Sequence, residues 1–124
     1  MQFGRNADED SAREMFEMCI SAGINHFDTA YSYTGGESER ILGPLVAPVA
    51  DDSLVATKAP NDRPPSAQNL RASYEESRKR LGIDVIDLYY LHRFDAETEL
   101  EETFGTLAEM QSRGMIRHIG VSNF

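Results

Sequence analysis

Along this chain the apolar positions switch repeatedly between helical and strand-like spacing. Over residues 11–22, Met15, Cys19 and Ala22 recur at helical intervals, Ser11 and Glu14 are placed as a capping box, and Gly23 stops the run. INHFD follows as a short buried strand, and residues 38–46 suggest a brief helix. SLVATK (53–58) is the next strand, ahead of the proline-rich loop APNDRPP. Residues 66–81 predict a long helix with Ala67, Leu70, Tyr74, Ser77 and Leu81 on one stripe. Glu75 with Lys79 and Glu76 with Arg80 are supporting pairs one turn apart. VIDLYYLH is a strand. Thr98 and Glu101 form a second capping box, opening a helix set by Leu100, Phe104, Leu107 and Gln111 that ends at Gly114. MIRHIGVSN is the last strand.

Strands alternating with helices in this way imply parallel β-α-β units. The strand ends at Asp28, Lys58, His92 and Ser122 lie roughly 30 residues apart, the size of one such unit. Each apolar run closes on a polar group: an acid, a lysine, a histidine and a Ser-Asn pair. In α/β barrels the active site is assembled from residues at those carboxyl ends. Strand ends also meet solvent, so on pattern alone a shared site and ordinary wet loop ends both stand. In HFDTAYSYTGGESE, either Tyr31 or Tyr33 could accompany Asp28.

At 124 residues, with 40% apolar and 27% charged positions, the chain is sized for one soluble domain, residues 1–124. Met1–Asp10 has no basic stretch followed by an apolar core, and the apolar run at Val85–Leu91 is short and broken by Asp87. Cys19 is alone, so no internal disulfide forms; a reducing, cytoplasmic setting is expected. A net charge of −9 argues against a nucleic-acid or anionic-membrane surface. His26, His92 and His118 lack metal-ligand spacing, so no metal is expected, with His26 and His118 structural or superficial. Gly35–Gly36 is not a dinucleotide fingerprint and reads as a turn before the helix.

FDTAYSYTGGESE, LVATK, DLYYLH and IRHIGVSNF occur in order and span nearly the whole chain. Together they resemble the aldo-keto reductases, and their forms look most like the bacterial, aflatoxin-aldehyde-reductase and potassium-channel-β-like branches. The resemblance implies an α/β fold, part of a (β/α)8 TIM barrel from roughly strand 1 to strand 5. It implies reduction of a small-molecule aldehyde or ketone by NADP(H). A catalytic tetrad of Asp28, Tyr33, Lys58 and His92 follows, with the family's spacing selecting Tyr33 over Tyr31. Cofactor contacts are expected from Asp28, Ser122 and Asn123.

The residue types suit the chemistry the family implies. A phenol donates a proton poorly at neutral pH and better beside a cation. Lys58 would supply that charge, Asp28 would keep it in place, and a neutral His92 would hydrogen-bond the substrate oxygen. Ser122 and Asn123 suit the nicotinamide carboxamide.

Barrels of this family run to roughly 300 residues with eight strands. About three βα units, with the pyrophosphate loop and the basic groups for the 2′-phosphate, are therefore expected to be missing. The sequence is read as an N-terminal portion, from a truncated gene or a partial sequence, binding NADPH weakly and having little or no activity by itself. Open strand edges at MQFG and IRHIGVSN would invite self-association. The alternatives are a non-catalytic half-barrel interaction or regulatory module, and two copies rebuilding a barrel-like dimer.

Overall fold

The computed structural model describes residues 3–5 and 7–124; Met1, Gln2 and Asn6 lie outside the described residues. Four parallel strands form one sheet in sequence order: β1 (His26–Asp28), β2 (Leu54–Lys58), β3 (Ile86–Leu91) and β4 (Ile116–Val121). Between them run α2 (Glu37–Val46), α3 (Ala67–Leu81) and α4 (Leu100–Ser112), with α1 (Glu9–Ser21) preceding β1. This is the α/β alternation of a partial barrel.

Register explains what the two sheet faces do. Phe27 pairs with Val55, and both pack with Phe16, Leu42 and Leu81 under the first helices. Tyr89 and Leu91 pack with Leu70, Tyr74, Leu107 and Met110 under α3 and α4. Side chains alternate along a strand, so the opposite face carries Asp28 and Ala56, which pair. The same face carries Lys58, Tyr90 and Gly120, linked by the pairs Lys58–Tyr90 and Tyr90–Gly120. Asp87 braces the amino ends of the sheet: it accepts from the Val55 amide at 2.8 Å and pairs with Arg117 at 2.9 Å.

Several local expectations are corrected. The cap of α1 is Asp8, which accepts from the Ser11 amide at 2.9 Å, so Ser11 and Glu14 lie inside the helix. Its buried face is Ala12 and Phe16, while Met15 is 45% exposed and Cys19 is half-buried against the first core. A carboxylate caps as well as a hydroxyl, and Asp8 was hidden in an acidic run. INHFD becomes strand only at His26.

The fourth helix is capped at Glu99, and Thr98 instead donates to Asp95. Its buried face runs through Thr103, Thr106, Leu107 and Met110, leaving Leu100 exposed. Two threonines took core positions that the apolar stripe had assigned to Leu100 and Gln111. Glu75 pairs with Arg78, three residues on, and not with Lys79. Of the expected edge strand MQFG, Met1 and Gln2 fall outside the described residues and Phe3 and Gly4 form a turn. Among the described residues the sheet edges are β1 and β4.

Gly43 sets the contact between α2 and α3. A Cβ there would lie 2.7 Å from both the Arg80 and Leu81 carbonyl oxygens. Helix propensity favours Gly43→Ala by about 1 kcal/mol, but the obstructing atoms are backbone and cannot rotate away. Overpacking should win, with Gly43→Ala destabilising the chain by about 1–3 kcal/mol in urea unfolding. A raised midpoint would show the helices can part at little cost.

Candidate active site

The carboxyl ends of the four strands carry a connected set of polar groups. Lys58 ends β2 and is 7% exposed, an unusual burial for a lysine. Its ammonium donates to the Asp28 carboxylate at the end of β1 and, at 2.7 Å, to the Thr29 carbonyl. The chain after β1 stays alongside β2: the Thr29 amide donates to the Ala56 carbonyl at 2.8 Å and the Tyr31 amide to the Lys58 carbonyl at 3.1 Å. It then turns through a 3-10 segment, Tyr33–Gly36, in which Thr34 (φ 50°), Gly35 and Gly36 (φ 90°) all have positive φ. The Thr34 hydroxyl accepts from the Ser38 amide at 3.1 Å, supplying the cap that Gly36 cannot give α2.

This turn separates the two tyrosines. Tyr33 lies with its ring centroid 4.8 Å from Lys58 Nζ and 5.9 Å from the His92 ring, edge to face. Tyr31 points elsewhere: its hydroxyl donates to Glu76 Oε2 at 2.7 Å and its ring stacks on the Arg80 guanidinium at 4.4 Å. The hydrogen bond to Glu76, followed by burial, raises the Tyr31 pKa above 10.

His92 follows β3 and is buried. Burial, then the Lys58 charge, lowers its pKa below the ordinary 6.5, against smaller opposing effects of the Ala59 backbone and Asp28. The ring is therefore neutral at pH 7, and its Nδ1 has no hydrogen-bond partner among the described residues. Below pH 6.5 the unfolded chain takes up a proton on this ring more readily than the folded one. Stability from this group should be full above pH 6.5 and lost as the pH falls toward the folded value. Urea midpoints at pH 7.5 and 5.5 should differ more for the wild type than for His92→Gln; equal differences would remove His92 as a source.

After β4, the Ser122 amide donates to the Leu91 carbonyl at 2.9 Å, keeping the Ser-Asn pair beside the end of β3. Asn123 (φ 52°) donates through Nδ2 to the His92 carbonyl and to Ser122 Oγ, each at 3.0 Å. Asp28, Tyr33, Lys58, His92, Ser122 and Asn123 are thus joined by a chain of contacts.

The aldo/keto reductase family model matches residues 1–124. The chain belongs to the aldo/keto reductase family. It is 33% identical over 131 residues to a probable voltage-gated potassium channel subunit beta of Oryza sativa subsp. japonica, a match covering 98% of this chain and 40% of that protein. With the L-glyceraldehyde 3-phosphate reductase of Escherichia coli it is 33% identical over 135 residues, covering 98% and 39%. With aflatoxin B1 aldehyde reductase member 2 of Rattus norvegicus it is 33% identical over 129 residues, covering 100% and 35%.

A thermostable aldo-keto reductase solved with the inhibitor epalrestat superposes with a TM-score of 0.88 at 34% identity, over 98% of this chain and 43% of that one. The holo form of an aldo-keto reductase from Bacillus halodurans gives 0.86 at 30% identity, over 94% and 42%. The chain thus spans about two fifths of the length of these relatives.

The Ser-Asn pair leaves one acceptor and one donor side by side. Asn123 spends its amide hydrogens internally, so what it can present is Oδ1, an acceptor, beside the Ser122 hydroxyl, a donor. Those are the complements of an amide's N–H and carbonyl. No helix here is long and apolar enough to cross a membrane, and no cluster of metal-ligating side chains is found among the described residues.

Sequence reasoning did not place Tyr90, Glu39 or Arg80 at the site. Tyr90 faces Lys58 from β3, its ring centroid 5.7 Å from Nζ. Its position two residues before His92 on an alternating strand was the available signal. Arg80 reads as the partner of Glu76, a pair the structure keeps, and Glu39 carries no signal of its own, so neither points to the other across 41 positions.

Proposed function

We propose that this chain carries the proton-transfer half of an NADPH-dependent oxidoreductase that reduces small aldehydes or ketones to alcohols. The observation that carries the reading is the convergence of a buried lysine, a tyrosine and a neutral histidine at neighbouring strand ends. When bound, NADPH supplies the hydride, and Ser122, Asn123 and Asp28 are the residues that would hold its nicotinamide end.

The chain's own residues handle the oxygen. Tyr33 donates its phenolic proton to the carbonyl oxygen as negative charge develops there. Lys58, held in place by Asp28 and the Thr29 carbonyl, stabilises the phenolate left behind. Neutral His92 keeps a ring N–H to donate to the same oxygen without competing as an acid. A histidinium there would add a second cation beside Lys58, which burial and charge both oppose.

NADPH consumption by the purified chain at high concentration, with a broad aldehyde panel and product analysis, tests this. Alcohol formation that disappears in Tyr33→Phe supports it, even if slow. A rate of alcohol formation indifferent to Tyr33→Phe overturns it. A second reading, a non-catalytic interaction or regulatory module, draws on the similarity to the rice potassium channel β subunit. It expects binding of a protein partner that survives Tyr33→Phe unchanged.

A further inference from the structure

We propose that Arg80 and Glu39 form a buried clamp that positions Tyr33 against Lys58, an inference that rests on the reading of Tyr33 as the proton donor. Glu39 lies in the first turn of α2 and is fully buried, and the Arg80 side chain, near the end of α3, is 10% exposed. They pair at 3.1 Å across 41 positions of sequence. Two charges are costly to bury, and such pairs add little to stability while fixing geometry. What this pair fixes can be read from its other contacts.

Arg80 grips the turn that carries Tyr33 on both sides. Before Tyr33, the same Nη1 donates to the Tyr31 carbonyl at 3.1 Å while the guanidinium lies 4.4 Å from the Tyr31 ring centroid. After Tyr33, the guanidinium fills the space beside Gly36, where a Cβ would stand 2.5 Å from Cζ. Nη2 pairs with Glu76, which also accepts from the Tyr31 hydroxyl. Tyr33 therefore sits between two backbone points held by one side chain.

Glu39 supplies the second half of the device. Its other oxygen accepts from the Thr57 hydroxyl at 2.7 Å, and Thr57 directly precedes Lys58 on β2. One carboxylate thus ties the strand that places Lys58 to the arginine that places Tyr33. The planar fork of arginine makes this possible, because a lysine ammonium could not span the carbonyl, the carboxylates and the ring together. The cost shows in Arg80 Nε, which is buried with no partner among the described residues. An arrangement built for stability alone would not retain it.

The test is Arg80→Lys, which keeps the charge and loses the fork, alongside Thr57→Val, which cuts only the tie from Glu39 to β2. The Tyr33–His92 ring-proton cross-relaxation measured by NMR reports the position of the turn. Reduction kinetics with NADPH and an aldehyde report the consequence. Both variants should weaken the ring cross-peaks, Arg80→Lys more than Thr57→Val. Arg80→Lys should lower kcat by about 10- to 100-fold with KM nearly unchanged, the signature of a misplaced catalytic group. Glu39→Gln keeps the shape, with its amide oxygen accepting from Arg80 and its amide N–H reversing the bond to the Thr57 hydroxyl, and should lower kcat less than Arg80→Lys.

Folded variants with unchanged cross-peaks, or weakened cross-peaks with an unchanged kcat, overturn the clamp. If Arg80→Lys does not fold, Thr57→Val decides by the same two readouts. If the wild type itself reduces nothing, the cross-peaks alone decide whether Arg80 and Glu39 hold the turn, and unchanged cross-peaks overturn the clamp.

Discussion

Replacing Tyr33 by phenylalanine is expected to slow carbonyl reduction by about 10²- to 10⁴-fold, the usual worth of a positioned proton donor. Fold and stability should be nearly unchanged, because the ring contacts with Lys58 and His92 use the face and edge of the ring, which phenylalanine keeps. Tyr31→Phe is the matched control. It also deletes one hydroxyl from the same loop, but that hydroxyl is committed to Glu76, an exposed partner. The ring that Arg80 stacks on survives. Its effect on the rate should be far smaller. Initial rates of NADPH oxidation for both variants settle the comparison. Equal losses would mean that the loop as a whole matters, not the phenol of Tyr33.

That contrast marks how far the sequence could be read. Strand ends were legible because they obey a local rule: an apolar run closes on a polar residue, and Asp28, Lys58 and His92 each do so. The parallel alternation followed from element lengths. Spacing alone could not orient two tyrosines two residues apart, because the intervening chain leaves extended geometry. Positive φ at Thr34, Gly35 and Gly36 turns the backbone, and no periodicity describes that. Gly35–Gly36 reads as a turn before the helix and forms one, but no pattern shows that Gly36 is also a close approach, kept bare by the Arg80 guanidinium.

Buried charge was the other blind spot. Glu39 follows a glycine-rich loop, and Arg80 reads as the partner of Glu76 one turn back, so neither announces a buried pair. Their partners lie far away in sequence, and only the packing of α2 on α3 brings them together. The same applies to Thr103 and Thr106, which took core positions because their hydroxyls bond to the Pro65 and Glu102 carbonyls. A polar side chain with a satisfied hydrogen bond packs where pattern expects an aliphatic one.

Removing either partner of the Asp28–Lys58 pair should damage the protein differently. In Asp28→Ala, the Lys58 ammonium stays behind with a side chain only 9% exposed and keeps the Thr29 carbonyl as its described acceptor. Leaving a buried charged donor without its partner costs more than the roughly 1–3 kcal/mol of a neutral one. In Lys58→Met the buried charge leaves with the side chain, and the thioether fills much of the same space. Asp28 then has water to turn to, since its side chain is 41% exposed. The stability change should be small, because removing a buried charge offsets the lost pair.

Activity should rank the other way. In the proposed reaction Lys58→Met would remove the cation beside the phenolate, so its rate should fall by about 10²- to 10⁴-fold, as for Tyr33→Phe. Asp28→Ala retains that cation, less well placed, and should lose less. Urea midpoints and NADPH oxidation rates on the same two variants give both orders. If Lys58→Met proved the more destabilising of the two, the lysine would be a structural strut of the sheet. If Asp28→Ala proved the slower enzyme, the carboxylate would have a direct part in the reaction beyond holding Lys58.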